Sequence, residues 1–171
     1  MDMLFSHLYH SPLGDMTLVS DDQNILGLWF NDQKYFAANY DMKTIKDELN
    51  EPNKRASEWL TAYFDGERPS PQSLPLDPQV TEFRKRVLNV LQQIPYGQTM
   101  SYKEISDALQ HNVAKKTNSS RAVGGAVGHN PISIIIPCHR VIGSDGSLTG
   151  YAGGVNRKIA LLKLEGVTNL A

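Results

Sequence analysis

The chain of 171 residues contains one cysteine, Cys138, which ends an apolar run and is followed at once by His139 and Arg140. A thiol is nucleophilic as its thiolate, and a nearby imidazole can accept the proton directly or through water. A lone cysteine forms no internal disulfide and no cysteine zinc cluster. Two readings stay open from this cluster: buried apolar filler, or a nucleophile. The five histidines have no paired spacing, so no zinc site is expected, and no cofactor motif is present.

An imidazole that acts as a base needs an acceptor to orient it. In the second half of the chain the carboxylates are Glu82, Glu104, Asp107, Asp145 and Glu165. Glu104 belongs to a capping pattern. Glu165 ends the last helical pattern just before Gly166, where the helix dipole disfavours a carboxylate. It is either an ordinary exposed glutamate or one held by a specific partner. Asn130 precedes Pro131 and reads as a turn, which could also fix the cysteine segment against the preceding helix. The stretch from Gly143 to Gly154 is glycine-rich and can line a pocket with backbone amides, although it lacks the order of a phosphate loop. Tyr151 within it is a pocket wall or a packed tyrosine.

The elements that must position these groups are legible from pattern. Met16–Ser20 and Ile25–Phe30 read as strands of a small antiparallel meander, separated by a turn at Asp21–Asn24. Trp59, Leu60, Tyr63 and Phe64 recur at helical spacing, with Gly66 placed to stop that helix. Residues 66–78 hold four of the nine prolines and read as an extended linker. Phe83, Val87, Val90, Leu91 and Ile94 form one apolar helical stripe. Ser101 and Glu104 have the form of a capping box for a helix to about Gln110, with Ile105 and Leu109 inward. A polar loop from His111 to Ser119 follows. Ser119 or Ser120 can cap a third segment, Arg121–Gly128, built almost wholly of Gly, Ala and Val. An Ile-rich strand leads to Cys138. A last helix places Val155, Ile159 and Leu162 on its apolar face.

The two short helices around the loop make a helix-turn-helix candidate. Its second helix lacks long side chains for reading base edges, which points to shape and backbone contact with low sequence specificity. Charge agrees. Up to residue 78 there are 6 Lys/Arg and 13 Asp/Glu; from Gln79 onward there are 11 and 5. Such asymmetry suggests that the basic half meets a polyanion. No stretch approaches the roughly 20 apolar residues of a membrane span, and an unpaired thiol fits a soluble, reducing, cytoplasmic setting. The expected fold class is α+β, with domains at 1–78 and 79–171.

Ile136-Pro137-Cys138-His139-Arg140-Val141 resembles the active-site signature of the O6-alkylguanine-DNA alkyltransferases. Ser11-Pro12-Leu13-Gly14, Arg121–Ala126, Asn130-Pro131, Gly150–Gly154 and Leu161–Gly166 appear in family order, so the resemblance spans essentially the whole chain. It implies a small RNase-H-like N-terminal sheet-and-helix domain followed by a helical, winged-helix-like C-terminal domain. It implies a monomeric DNA repair protein, without cofactor or metal, that flips an alkylated guanine out of double-stranded DNA. The alkyl group would pass once and irreversibly to Cys138. His139 would be the base acting through water, Glu165 would orient it, and Asn130 would hold the turn beside the thiol. Arg121 would enter the base stack, with Ala122, Gly124 and Gly125 on the same DNA-facing helix. Tyr102 would hydrogen-bond the flipped base. Val141, Tyr151, Ala152 and Gly153 would line its pocket. O4-alkylthymine is a possible second substrate. The residues alone also permit a non-catalytic lesion- or operator-binding helix-turn-helix protein, or a turnover Cys-His hydrolase.

Overall fold

A computed structural model describes residues 3–111, 117–148, 150–168 and 170. The chain forms two compact units. The first comprises residues 1–79 together with Pro131–Ile135; the second comprises Val80–Asn130 and Ile136–Ala171. Residues 131–135 thus belong to the first unit, an excursion that a linear division of the chain does not convey.

In the first unit, β1 (Phe5–Ser11), β2 (Gly14–Ser20), β3 (Ile25–Phe30) and the short β4 (Lys46–Asp47) form a mixed sheet in the order β3-β2-β1-β4. β1 and β2 are a tight hairpin closed at Ser11 and Gly14, and β4 joins β1 in parallel. β3 is buried along its whole length, which explains its unbroken apolar character. Gly27 leaves room for the indole of Trp29: a Cβ there would lie 2.0 Å from the ring. The helix α1 (Glu51–Phe64) starts at an Asn50 cap whose side chain accepts from the Asn53 amide, and it packs Ala56, Trp59, Leu60 and Tyr63 inward.

The proline-rich stretch differs from an extended linker. Its Ser70 carbonyl accepts from Trp59 Nε1 at 2.9 Å, its Ser73 carbonyl accepts from Arg55, and Pro75 and Asp77 pair with the backbone of Ile25. Pro131 and Ser133 pair with Leu28 further along the same strand. Together these segments occupy backbone groups along β3, which would otherwise be a bare edge.

In the second unit, α2 (Glu82–Leu91), α3 (Tyr102–Leu109) and α4 (Ser120–Gly128) pack on one another. β5 (Met100–Ser101) pairs in parallel with β6 (Val141–Ile142), and α5 (Val155–Leu164) closes the unit. The capping box of α3 is complete, with Glu104 accepting from the Ser101 amide and Ser101 accepting from the Glu104 amide. Leu109 is only half-buried; the fully buried position of α3 beside Ile105 is Ser106.

Three further expectations are corrected. The run Ile132–Ile136 is not a strand: Ile132 makes one isolated bridge to Leu28, and Ile134 turns the chain at φ +69°. Cys138–Arg140 is a single 3₁₀ turn. Ser119 occupies the N-cap of α4 but makes no side-chain cap; its hydroxyl pairs with Ser106 Oγ at 2.8 Å. On α5 the inward residues are Lys158, Leu161 and Leu162, while Val155 is exposed. The loop expected from His111 to Ser119 has its residues 112–116 outside the described residues. Among the described residues, no helix is long and apolar enough to cross a membrane.

Candidate active site

The 3₁₀ turn answers how adjacent residues can serve one site. On a strand, Cys138 and His139 would point to opposite faces. Here Pro137 leads into a turn, and Cys138, His139 and Arg140 are all buried. β6 follows directly, and its pairing with β5 ties the turn to the start of α3 at Tyr102.

His139 Nε2 lies 2.6 Å from Glu165 Oε2, and both side chains are shut off from solvent. Glu165 is the C-cap of α5, and its carboxylate is heavily partnered. Arg140 donates to it twice, from Nε to Oε1 at 2.7 Å and from Nη2 to Oε2 at 3.1 Å. The Gly97 amide adds a long bond to Oε1. Burial alone would raise the Glu165 pKa, but the hydrogen bonds from His139 and Arg140 and the charge of the guanidinium outweigh it and hold the carboxyl at about 2. The partner expected to compensate the unfavourable dipole is thus a planar guanidinium fork, the geometry suited to a carboxylate. Arg140 itself is held by the Ile94 carbonyl and lies against the Tyr96 ring.

Because Glu165 stays ionised, it accepts the Nε2 proton of His139. The lone pair then falls on Nδ1, which is buried and makes no hydrogen bond to the described residues. Burial pushes the imidazole pKa down, against the pull of Glu165, so the ring rests neutral and able to accept a proton.

Cys138 is buried, and burial raises its thiol pKa. A hydrogen bond from the Asn130 side chain and the charge of Lys158 pull it down. Asn130 also donates from Nδ2 to the Ile136 carbonyl at 2.9 Å. Its side chain therefore clamps the segment leading to the cysteine, beyond making a local turn.

Tyr102, the first residue of α3, is half-buried. Its phenol pKa is raised, first by burial and then by Cys138, so it remains a donor near the thiol. Val141 is buried, with Tyr151 and Gly153 buried and Ala152 half-buried. On α4, Arg121 and Ala122 are exposed and Gly124 and Gly125 half-buried, whereas Val123, Ala126 and Val127 face inward. The small-residue surface expected for DNA contact is thus on the outside of its helix.

One site residue escaped the sequence reading, and a second was read without its partner. Lys158 is 1 % exposed, donates from Nζ to the Val141 carbonyl, and is depressed to about 8 by burial. Arg140 was visible only as part of the signature. Both are long cations, which sequence patterns assign to solvent; the inward position of Lys158 one turn before Leu161 and Leu162 was the available signal.

The ribonuclease-like domain of 6-O-methylguanine DNA methyltransferase matches residues 4–78, and the DNA binding domain of the same family matches residues 82–167. The chain belongs to the 6-O-methylguanine DNA methyltransferase family. A methylated-DNA–protein-cysteine methyltransferase of Mycolicibacterium paratuberculosis is 44% identical over 91% of this chain and 88% of its own length. The crystal structure of the Mycobacterium tuberculosis O6-methylguanine methyltransferase superposes with a TM-score of 0.81 at 42% identity, over 95% of this chain and 93% of that one. The M. tuberculosis protein is also known in complex with DNA, with the same TM-score at 41% identity over 94% and 92% of the two chains.

Proposed function

We propose that this protein repairs DNA by moving the alkyl group of O6-alkylguanine onto Cys138, once per molecule. The observation that carries the reading is the buried His139–Glu165 pair, next in sequence to the buried Cys138, in a chain of the methyltransferase family.

His139 Nδ1 takes the proton of the Cys138 thiol, directly or through water, and Glu165 stabilises the imidazolium that forms. The thiolate attacks the alkyl carbon; the new S–C bond forms as the C–O6 bond breaks. The electron pair leaves with the guanine, which takes a proton directly from the imidazolium, or from the Tyr102 hydroxyl with the imidazolium returning its proton to the tyrosinate. A thioether has no easy return path, so the protein is consumed and needs no second thiol.

The target base must leave the stack to reach a buried sulfur, at a cost of a few kcal/mol. Arg121, exposed at the start of α4, fills the gap and offsets part of that cost. The exposed Ala122 and half-buried Gly124 and Gly125 of α4 let the backbone approach the minor groove, where bases are poorly distinguished. Damage at any sequence is then admitted. Val141, Tyr151, Ala152 and Gly153 enclose the flipped base, and Tyr102 donates to it. The protein acts as a monomer, in the cytoplasm, without metal or cofactor. A non-catalytic DNA-binding role would leave the relay without use.

The test is a single-turnover assay with duplex DNA carrying O6-methylguanine. The expected product is one methyl group per protein, located on Cys138 by peptide mass spectrometry. Continued turnover, or a methyl group elsewhere, would sink the reading.

A further inference from the structure

The glycine-rich stretch contains one residue that the reaction above leaves without a role. Gly150 has φ +92°, in the region that favours glycine, and a Cβ built on it would lie 2.9 Å from the Tyr102 hydroxyl oxygen. That is closer than non-bonded atoms tolerate. On another side the Tyr102 ring faces Gly124 of α4, with room for one further carbon between them: a Cβ there would meet the ring at 3.9 Å, ordinary contact distance. The base of the ring is fixed by the completed capping box at Ser101 and by the β5–β6 pairing. With the backbone of Tyr102 fixed and α4 beside its ring, the phenol places its hydroxyl over the bare backbone of Gly150.

We propose that Gly150 is a positioning residue for the reaction: the missing side chain at 150 sets where the Tyr102 hydroxyl stands in the alkylguanine pocket. This rests on the reading of Tyr102 as a donor to the flipped base. Any side chain at 150 pushes the hydroxyl away from its hydrogen-bonding position while leaving the thiol, His139 and Glu165 untouched. Alkyl transfer and intrinsic thiol reactivity therefore separate on substitution at this position.

Four proteins test this: wild type, Gly150→Ala, Tyr102→Phe, and the double variant. Each is measured for methyl transfer from O6-methylguanine duplex DNA, for alkylation of Cys138 by iodoacetamide, and for thermal melting. Gly150→Ala is expected to slow transfer about tenfold, the scale of one lost hydrogen bond, with unchanged iodoacetamide reactivity. Tyr102→Phe slows transfer similarly. In the double variant the two losses do not multiply, because phenylalanine carries no oxygen to displace. The proposal is overturned if Gly150→Ala transfers at the wild-type rate. It is equally overturned if the two penalties multiply, or if the iodoacetamide rate falls in step with transfer. A wild-type protein that transfers nothing would instead remove the alkyltransferase reading itself, and a Tyr102→Phe protein at full rate would remove the donor role of Tyr102; either result takes the proposal with it.

Discussion

His139 Nε2 and Glu165 Oε2 stand 2.6 Å apart with neither side chain reaching solvent, although 26 positions separate them in the chain. A buried glutamate is ordinarily pushed toward its neutral form, and this one is held ionised because Arg140 grips both of its oxygens. The orientation of the imidazole thus depends on the residue that follows it.

Glu165→Gln is expected to slow alkyl transfer by a hundredfold or more, roughly the lower bound for a general base that loses its orienting group. It also leaves Arg140 as an uncompensated buried charge, at about 3–5 kcal/mol. Single-turnover kinetics and denaturant melting read the two effects separately. A variant with the wild-type rate would show that His139 needs no anion.

Acid should act through the same carboxyl. Its pKa is lower in the folded chain, at about 2, than its ordinary value of 4.5. Its contribution is then fully present above pH 4.5 and is lost as pH falls from 4.5 toward 2. The whole contribution is about 3 kcal/mol. Melting curves between pH 6 and pH 3 should fall more steeply for the wild type than for Glu165→Gln; parallel curves would contradict the assignment.

Lys158 predicts the opposite limb. Its folded pKa of about 8 lies below the ordinary 10.5, so the charged form is penalised by folding. The penalty is present below pH 8 and is relieved as pH rises from 8 to 10.5, because the unfolded chain then binds the extra proton. Wild-type stability should gain up to about 3 kcal/mol over that window relative to Lys158→Met. At pH 8 the same variant should react more slowly with iodoacetamide, since Lys158 lowers the Cys138 pKa. Faster alkylation would refute that influence.

Arg121→Ala separates flipping from chemistry. Transfer from duplex DNA should fall tenfold or more, a cost on the scale of unstacking. Transfer from the free alkylated base, which needs no flipping, should be unchanged. Equal losses on both substrates would place Arg121 in the chemical step.

The sequence made the local devices plain and the long-range ones obscure. The capping box of Ser101 and Glu104 needs three residues of spacing and nothing else, and it stands as read. The hexamer around Cys138 and the small-residue helix before it are also local. By contrast, Ile132–Ile136 has every compositional mark of a strand, yet Asn130 bonds the Ile136 carbonyl and the five residues between them depart to pack with the sheet of the first unit. β-propensity describes a fit to a pleated surface and yields to such ties. Strand β1 went unread because its polar and aromatic residues alternate only weakly. Ser119 was a sound choice of cap by type, but Ser106, buried at 0 % exposure, claims its hydroxyl.

The buried cations leave one last consequence. Arg140 and Lys158 bring two positive charges into the interior, and Glu165 supplies one negative charge. With Cys138 as a thiol and His139 neutral, the interior carries one positive charge in excess; passing the thiol proton to His139 leaves that sum unchanged, and only a thiolate whose proton has gone on to solvent cancels it. A methylated sulfur can never ionise. The spent protein is therefore locked into the imbalance that its unreacted form can escape, and the record of its single reaction is written in the charge of its own interior.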